Sequence, residues 1–242
     1  MIMTKSIAIL GAGPGLGASL ARTYGKQGYA VALVARRAAA LEAMVAQLSG
    51  EGITAAAFTA NLRDPVEVTA AMADIQSRFG DIETLYYGPS APEVFVPAFS
   101  LAPDDVKAKT ELFLYGLVAA VQAVLPGMRR AKAGTILVAL GGSAAVGLPF
   151  MSGPGPALAA ARNYLHSLHG ELANEGIYVG MLTLSAVIRQ SAWHAGLISG
   201  DIKIDLPPGF AIPEIEPSDL AQMLWQLAEA RQAPELVYPA AP

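Results

Sequence analysis

The sequence predicts an α/β protein with a doubly wound parallel sheet of about seven strands. Short apolar stretches alternate with amphipathic helical patterns along the chain, and a glycine-rich turn follows the first stretch. The composition is 53% hydrophobic and only 15% charged, which suits parallel strands covered by helices on both faces. The length of 242 residues indicates one domain spanning residues 1–242.

The first strand-helix unit lies at the start of the chain. Residues 6–10 are apolar, contain β-branched side chains and end at a glycine, as a buried strand does. Leu16, Leu20 and Tyr24 then recur at helical spacing and predict a helix over residues 16–27. The intervening segment must therefore be a tight turn from strand to helix.

Glycines dominate this turn at positions Gly11, Gly13, Gly15 and Gly17, and Leu16 begins the helix. Residues without a Cβ allow unusual φ angles and let phosphates approach the positive end of the helix. The turn therefore predicts a dinucleotide pyrophosphate site in a Rossmann fold. A tight turn without a ligand is the alternative.

The second and third strands suggest which dinucleotide binds. Residues 30–35 form an apolar stretch that runs into Arg36 and Arg37. Arginine at this place pairs with the 2′-phosphate of NADP, whereas an acid binds the 2′-hydroxyl of NAD. We therefore expect NADP(H) rather than NAD(H), the alternative being that both arginines only cap the strand in solvent. The third strand, at 54–59, leads to Asn61 and Leu62, where an adenine amino group can be bound.

The remaining elements continue the alternation. Helices are predicted around residues 38–48, 64–79, 104–130, 157–174 and 217–231, and strands around 82–87, 135–140, 178–184 and 235–238. Residues 189–216 interrupt this pattern with a Pro- and Gly-rich stretch. We expect this segment to be a lid over the substrate, with a plain surface loop as the alternative.

Composition excludes several classes of function. The net charge of −4 and the pI near 5.4 argue against nucleic acid or an anionic membrane as a partner. The absence of cysteine excludes disulfides, thiolate catalysis and cysteine-based zinc sites. The three histidines lack a metal-ligand spacing, so we predict no metal. We expect no segment long enough to span a bilayer and no signal peptide, and hence a cytoplasmic protein.

Several motifs together resemble the short-chain dehydrogenase/reductase family over nearly the whole chain. They comprise the glycines at 11, 15 and 17, the segment Ala35-Arg36-Arg37, the pair Asn61-Leu62, and residues 123–128, 134–137, 170–173 and 176–179. The resemblance implies an NADP(H)-dependent oxidoreductase in which Ile188 meets the nicotinamide carboxamide. It also implies a homodimer or homotetramer formed through helices 104–130 and 157–174.

The same resemblance implies four catalytic positions, and this sequence departs from the family at each. Counting back from Glu171 puts the family's tyrosine at Pro154 and its lysine at Leu158. The family's serine falls at Gly141 and its asparagine at Phe113. A local realignment does not restore the family's tyrosine and lysine, because residues 141–171 contain no Tyr-x-x-x-Lys.

Other side chains near the expected cleft are candidates for catalysis. Tyr87 ends the fourth strand, Ser143 lies two residues beyond the serine position, and His194 follows the sixth strand. Ser152 is a further hydroxyl in this region. Packing is the alternative role for Tyr87, and a turn for Ser143.

Three functions follow from this pattern. The first is an atypical NADP(H)-dependent oxidoreductase acting on a small or medium apolar carbonyl or alkene, because hydride transfer itself needs no protein acid. The second is a non-redox isomerase, dehydratase or cyclase, and the third is a noncatalytic NADP-binding regulatory partner. The apolar substrate is expected from side chains predicted to line the pocket, namely Tyr87, Phe150, Met151 and Trp193.

Overall fold

The computed structural model describes residues 5–90, 95–202 and 212–239. Within these ranges, one seven-stranded parallel sheet has the order β3-β2-β1-β4-β5-β6-β9. Its strands are β1 Ser6–Leu10, β2 Ala30–Ala35, β3 Ala55–Thr59, β4 Thr84–Tyr87, β5 Gly134–Gly141, β6 Ile177–Leu184 and β9 Glu235–Tyr238. A separate short pair joins β7 Val187–Ile188 to β8 Glu214–Ile215. The predicted fold class is confirmed.

The helices cover both faces of the sheet. They are α1 Leu16–Lys26, α2 Ala38–Gly50, α3 Pro65–Phe79, α4 Pro103–Thr110, α5 Gly116–Ala131, α6 Gly155–Leu172, α7 Ala192–Ser199 and α8 Pro217–Ala230. A π-helical turn, Glu111–Tyr115, joins α4 to α5. Along β1, Ile7 and Ile9 pack toward α1, α2 and α8, whereas Ala8 and Leu10 pack toward α3, α5 and α6.

The strand order reverses beside β1, which pairs with both β2 and β4. The connection from the carboxyl end of β1 runs toward β2, whereas the connection from β4 runs the other way, toward β5, and this leaves a crevice between β1 and β4. In open α/β sheets, ligands bind in such a crevice. The glycine turn between β1 and α1 lies at this point.

The expectation about membrane-spanning segments is wrong in one respect. In the described part of the chain, the continuous helical segment Pro103–Ala131 is long and apolar enough to cross a membrane by length and composition. More than half of its most apolar window is buried inside the protein, where it packs in the same core as α3 and β4. The core helix of a soluble protein passes the same test, so the hydropathy is accounted for by internal packing.

The predicted lid, residues 189–216, is described only in part. Its two ends are held together by β7 and β8, and α7 begins two residues after Gln190. Residues 203–211 lie outside the described residues.

Candidate functional site

A cleft of about 1270 Å³ opens at the carboxyl ends of the central strands. Every residue predicted to bind the cofactor lines it: Gly11, Gly13, Gly15, Leu16, Gly17, Arg36, Arg37, Asn61, Leu62 and Ile188. The two outermost of these positions, Gly11 and Ile188, are 177 residues apart in the sequence. The fold brings them together along one continuous surface.

The glycine turn is packed so closely that a side chain is excluded at Gly11 and would be crowded at Gly17. Gly11 has a φ of +92°, and a Cβ there would lie 2.7 Å from the backbone of Gly88 and Pro89. A Cβ on Gly17 would lie 3.0 Å from the Cα of Ala12. At Gly13, by contrast, a Cβ would meet nothing within 4 Å, so the turn leaves open space on its cleft side.

The start of α1 supplies hydrogen-bond donors to this space. Gly15 caps the helix without a side-chain hydrogen bond, and the first turn carries no acidic residue. The first backbone N–H groups of a helix have no partner within the helix, and its dipole favours negative charge there. The turn therefore has the room, the donors and the polarity that a pyrophosphate requires.

Arginines are concentrated at the far end of the cleft, beyond β2 and β3. Arg36, Arg37 and Arg63 line the cleft, and no other described residue forms a hydrogen bond or ion pair with their guanidinium groups. Arg22 differs because its Nε lies 2.8 Å from Glu51 Oε1. The sequence argument missed Arg63, although it follows the Asn61-Leu62 pair directly.

Asn61 is held in a fixed orientation beside these arginines. Its backbone N–H donates to Glu67 Oε2 at 2.8 Å, and its side-chain oxygen accepts from the backbone N–H of Arg63 at 3.3 Å. An amide oxygen has a second lone pair, which remains for a ligand amino group.

The opposite end of the cleft is apolar. Phe113, Gly141, Pro154 and Leu158, to which the resemblance assigns the family's four catalytic positions, all line it. A Cβ on Gly141 would lie 3.4 Å from Leu158 Cδ1, so the serine and lysine positions are in contact distance of one another. The side chains that stand there cannot transfer a proton.

Ser143 lines the cleft, whereas the other candidates for catalysis, Tyr87, His194 and Ser152, do not. Its hydroxyl oxygen is 3.9 Å from the place a Cβ on Gly141 would occupy, and 3.8 Å from the corresponding place on Gly155. Because both neighbours are glycines, the space around this hydroxyl is not filled by side chains. Ser143 is therefore placed to donate a hydrogen bond near the position of the family's serine.

Tyr87 lies in the core beneath the cleft. Its side chain is 1% exposed, its hydroxyl donates to the carbonyl of Leu112, and burial raises its pKa. The neighbouring Tyr86 lines the cleft instead, at 2% exposure, and burial likewise raises the pKa of its hydroxyl. Strand alternation puts these two tyrosines on opposite faces of β4. The sequence analysis selected Tyr87 as the catalytic candidate, whereas Tyr86 is the one that lines the cleft.

His194 holds the two ends of the predicted lid together. Its Nδ1 accepts from the backbone N–H of Gln190 at 3.2 Å, and its Nε2 lies 3.8 Å from Glu214 Oε1. Trp193, the preceding residue, lines the cleft, and its buried indole N–H has no hydrogen-bond partner among the described residues.

The predicted apolar pocket is only partly assembled as expected. Met151 and Trp193 line the cleft, whereas Tyr87 is buried beneath it. Phe150 is 68% exposed and lies outside the lining. Ser152 is also outside it, and its backbone N–H donates to the carbonyl of Val96 at 2.9 Å. Among the described lining residues there is no Asp, Glu, Lys or His.

Comparison with known proteins identifies the class. The family model described as short chain dehydrogenase matches residues 5–193, and the chain belongs to this family. Among curated relatives, a 3-oxoacyl-[acyl-carrier-protein] reductase of Staphylococcus aureus is 29% identical over 191 residues, which is 78% of this chain and 76% of that protein.

Solved structures share the fold over nearly the whole length. An alcohol dehydrogenase from the archaeon Thermococcus sibiricus, complexed with 5-hydroxy-NADP, aligns with a TM-score of 0.80 at 22% identity and covers 98% of both chains. A variant of actinorhodin polyketide ketoreductase with NADPH aligns with a TM-score of 0.83 at 21% identity and covers 97% of this chain and 95% of that one. At these identities the likeness concerns the fold.

Proposed function

We propose that the chain is an NADP(H)-dependent oxidoreductase that reduces a carbonyl or alkene group of a small or medium apolar molecule without the family's tyrosine-lysine proton relay. The observation that carries this proposal is the combination, in one cleft, of an uncapped glycine turn with three arginines whose guanidinium groups pair with no described residue. Because the chain belongs to a family of dehydrogenases, a redox reaction is favoured over an isomerase, dehydratase or cyclase.

The cofactor is assigned to residues along the length of the cleft. Asn61 and Leu62 hold the adenine, and Arg36, with Arg37 and Arg63, pairs with the 2′-phosphate. The turn from Gly11 to Gly17 holds the pyrophosphate against the start of α1. Ile188 is assigned to the carboxamide end.

The bound reduced cofactor supplies a hydride, and the chain itself orients and polarises the acceptor. Phe113, Leu158 and Trp193 form apolar walls that hold a substrate and exclude water. Ser143 donates a hydrogen bond to the substrate oxygen, which gains the electron pair when hydride adds to carbon. Water then supplies the proton that completes the reduction.

Tyr87 and His194 have positioning roles in this proposal. The hydroxyl of Tyr87 donates to the carbonyl of Leu112, and Nδ1 of His194 accepts from the backbone N–H of Gln190. Neither group faces the reacting end of the cleft.

One observation favours a second function, that of a noncatalytic NADP-binding regulatory partner. The described lining carries arginines at the cofactor end but no carboxylate, lysine or histidine at the reacting end. A noncatalytic binding protein needs arginines to hold the cofactor, but it does not need a proton donor. Turnover separates the two functions.

The test is NADPH oxidation in the presence of a panel of apolar aldehydes, ketones and enones. We expect turnover with at least one of them, and Ser143→Ala should lower kcat about 100-fold with the affinity for NADPH unchanged. Ser77→Ala, on the exposed face of α3, is the matched control. Tight NADPH binding with no turnover across the panel would overturn the enzyme and support the binding protein.

A further inference from the structure

The loop between β5 and α6 presents apolar side chains to solvent. Val146 is 64% exposed, Leu148 48% and Phe150 68%. Monomeric proteins expose single apolar residues routinely, whereas here three exposed apolar residues lie within five positions of one loop. We call residues 144–152 the rim loop.

Backbone hydrogen bonds hold the rim loop in place. The N–H groups of Ala145 and Val146 donate to the carbonyl of Gly142, at 3.0 and 3.3 Å. At the other end, the N–H of Ser152 donates to the carbonyl of Val96 at 2.9 Å. The loop is thus ordered without burying its large side chains, which leaves them free to contact a ligand.

The apolar patch is continuous with the cleft. Val146, Leu148 and Met151 line the cleft, although two of them are largely exposed. They line the same cleft as Ser143, which is the residue directly before the rim loop. A ligand whose reacting group contacts Ser143 can therefore extend outward along the rim loop.

Phe150 adds a second, independent observation. Its φ is +64°, in the left-handed region that is disfavoured for bulky residues. The N–H of Met151 donates to the carbonyl of Leu148 at 3.1 Å and closes a β-turn with Pro149 and Phe150 at its centre, which holds this backbone angle. The turn therefore fixes the exposed ring of Phe150 at the rim, where a ligand can cover it.

Charge determines which ligand fits. Residues 134–161, which include β5, the rim loop and the start of α6, contain no Asp, Glu, Lys, Arg or His. An ionised group placed among such side chains would lose hydration without gaining a partner. The cationic end of the cleft, at Arg36 and Arg37, is occupied by the cofactor in the proposed function.

We propose that the rim loop is a subsite for the apolar tail of an uncharged substrate. The substrate class is a free, neutral molecule with an alkyl or ring system beyond its reacting group, rather than one bearing a carboxylate or phosphate near that tail. This inference rests on the proposed function, because the same cleft holds the cofactor.

The experiment measures binding of 2-hexanone, 2-octanone and 2-decanone to the NADP⁺-loaded protein, in which these ketones cannot be reduced. The chain has two tryptophans, so Trp225→Phe leaves Trp193, which lines the cleft, as the fluorescent reporter. Calorimetry on the unmodified protein gives the same affinities without relying on that variant. The charged match for 2-decanone is 9-oxodecanoate.

We expect affinity to rise about fourfold per added methylene, as apolar burial predicts. Phe150→Ser and Leu148→Ser should each weaken 2-decanone binding about fivefold while leaving 2-hexanone within about twofold. Val66→Ser, at an equally exposed residue on α3, is the matched control and should change nothing. The carboxylate should bind at least about tenfold more weakly than 2-decanone.

The inference is overturned if affinity does not depend on chain length, if the carboxylate binds as well as the ketone, or if both rim variants behave like the control. Thermal shifts with NADPH, measured on the same samples, test the cofactor proposal separately. A normal NADPH shift with a flat ketone series rejects the subsite alone. A graded ketone series without an NADPH shift rejects the proposed function alone.

Discussion

The hydroxyl of Tyr87 donates a hydrogen bond to the main-chain carbonyl of Leu112, which lies in the π-helical turn Glu111–Tyr115. In such a turn the regular helical pattern is interrupted. Gly116 lies against the same hydroxyl and against the carbonyl of Leu62, where no Cβ would fit. This arrangement stabilises the turn that places Phe113 in the wall of the cleft.

Replacing Tyr87 by Phe should therefore destabilise the protein by about 1–3 kcal/mol, because the carbonyl of Leu112 would lose its partner in the core. Urea unfolding measures the change. Tyr115→Phe, at a half-exposed ring in the same turn, is the control and should have little effect. If both variants unfold alike, the bond does not support the turn.

Tyr24→Phe should have the opposite effect. The hydroxyl of Tyr24 is buried and has no hydrogen-bond partner in the described part of the chain, whereas that of Tyr29 donates to Glu83 Oε1 at 2.8 Å. Removing an unpaired buried hydroxyl should leave stability unchanged or raise it by about 1 kcal/mol, and Tyr29→Phe should lower it. Thermal unfolding of both variants is the measurement, and a loss of stability in Tyr24→Phe would contradict the assignment.

Glu235 should make stability depend on pH. Hydrogen bonds from Arg162, with help from Thr183, hold the pKa of Glu235 below its ordinary value despite partial burial. A lowered folded-state pKa stabilises the protein above the ordinary glutamate pKa, near 4.3, and this contribution is lost as pH falls through the folded value.

The check is urea unfolding of the wild type and Glu235→Gln between neutral and acidic pH. At neutral pH the variant should be less stable by about 1–3 kcal/mol, a range that allows for the partial exposure of Arg162. The difference should shrink as pH drops below about 4.3. A difference that stays constant with pH would show that the carboxylate charge is not responsible.

We propose a homodimer or homotetramer formed through α5 and α6, as the resemblance implied. Leu114, Tyr115, Val118 and Tyr164 line a shallow groove on this face, and Tyr115 is 52% exposed. Val118→Arg should yield monomers, because a charge would be buried at the centre of the contact. Light scattering measures the mass, with Val66→Arg as the control, and a monomeric wild type would contradict the proposal.

The sequence was sufficient for the sheet because each strand is a short apolar stretch flanked by polar or glycine positions. The observed β2, Ala30–Ala35, and β9, Glu235–Tyr238, coincide with the predicted ranges. The positions proposed for the cofactor could also be predicted from the sequence, because the glycine turn and the end of β2 are local features. Their convergence on one cleft follows from the strand order.

Other features could be found only from the three-dimensional structure. Alternation places Tyr86 and Tyr87 on opposite faces of β4 but does not say which face meets the cleft. Phe113 was expected inside a regular helix over 104–130, whereas a π-helical turn interrupts that helix. The direction of Phe150 depends on one left-handed backbone angle in the rim loop, and no spacing in the sequence encodes it.

The most direct test of the account is the thermal stability of the protein with saturating NADPH or NADH, compared between wild type and Arg36→Ala. Arg22→Ala, whose guanidinium is already paired with Glu51, is the matched control. We predict a larger rise in melting temperature with NADPH than with NADH, equal rises in Arg36→Ala, and an unchanged preference in Arg22→Ala. No rise with either nucleotide, or equal rises in the wild type, would contradict the central claim that this cleft binds NADP(H) in preference to NAD(H).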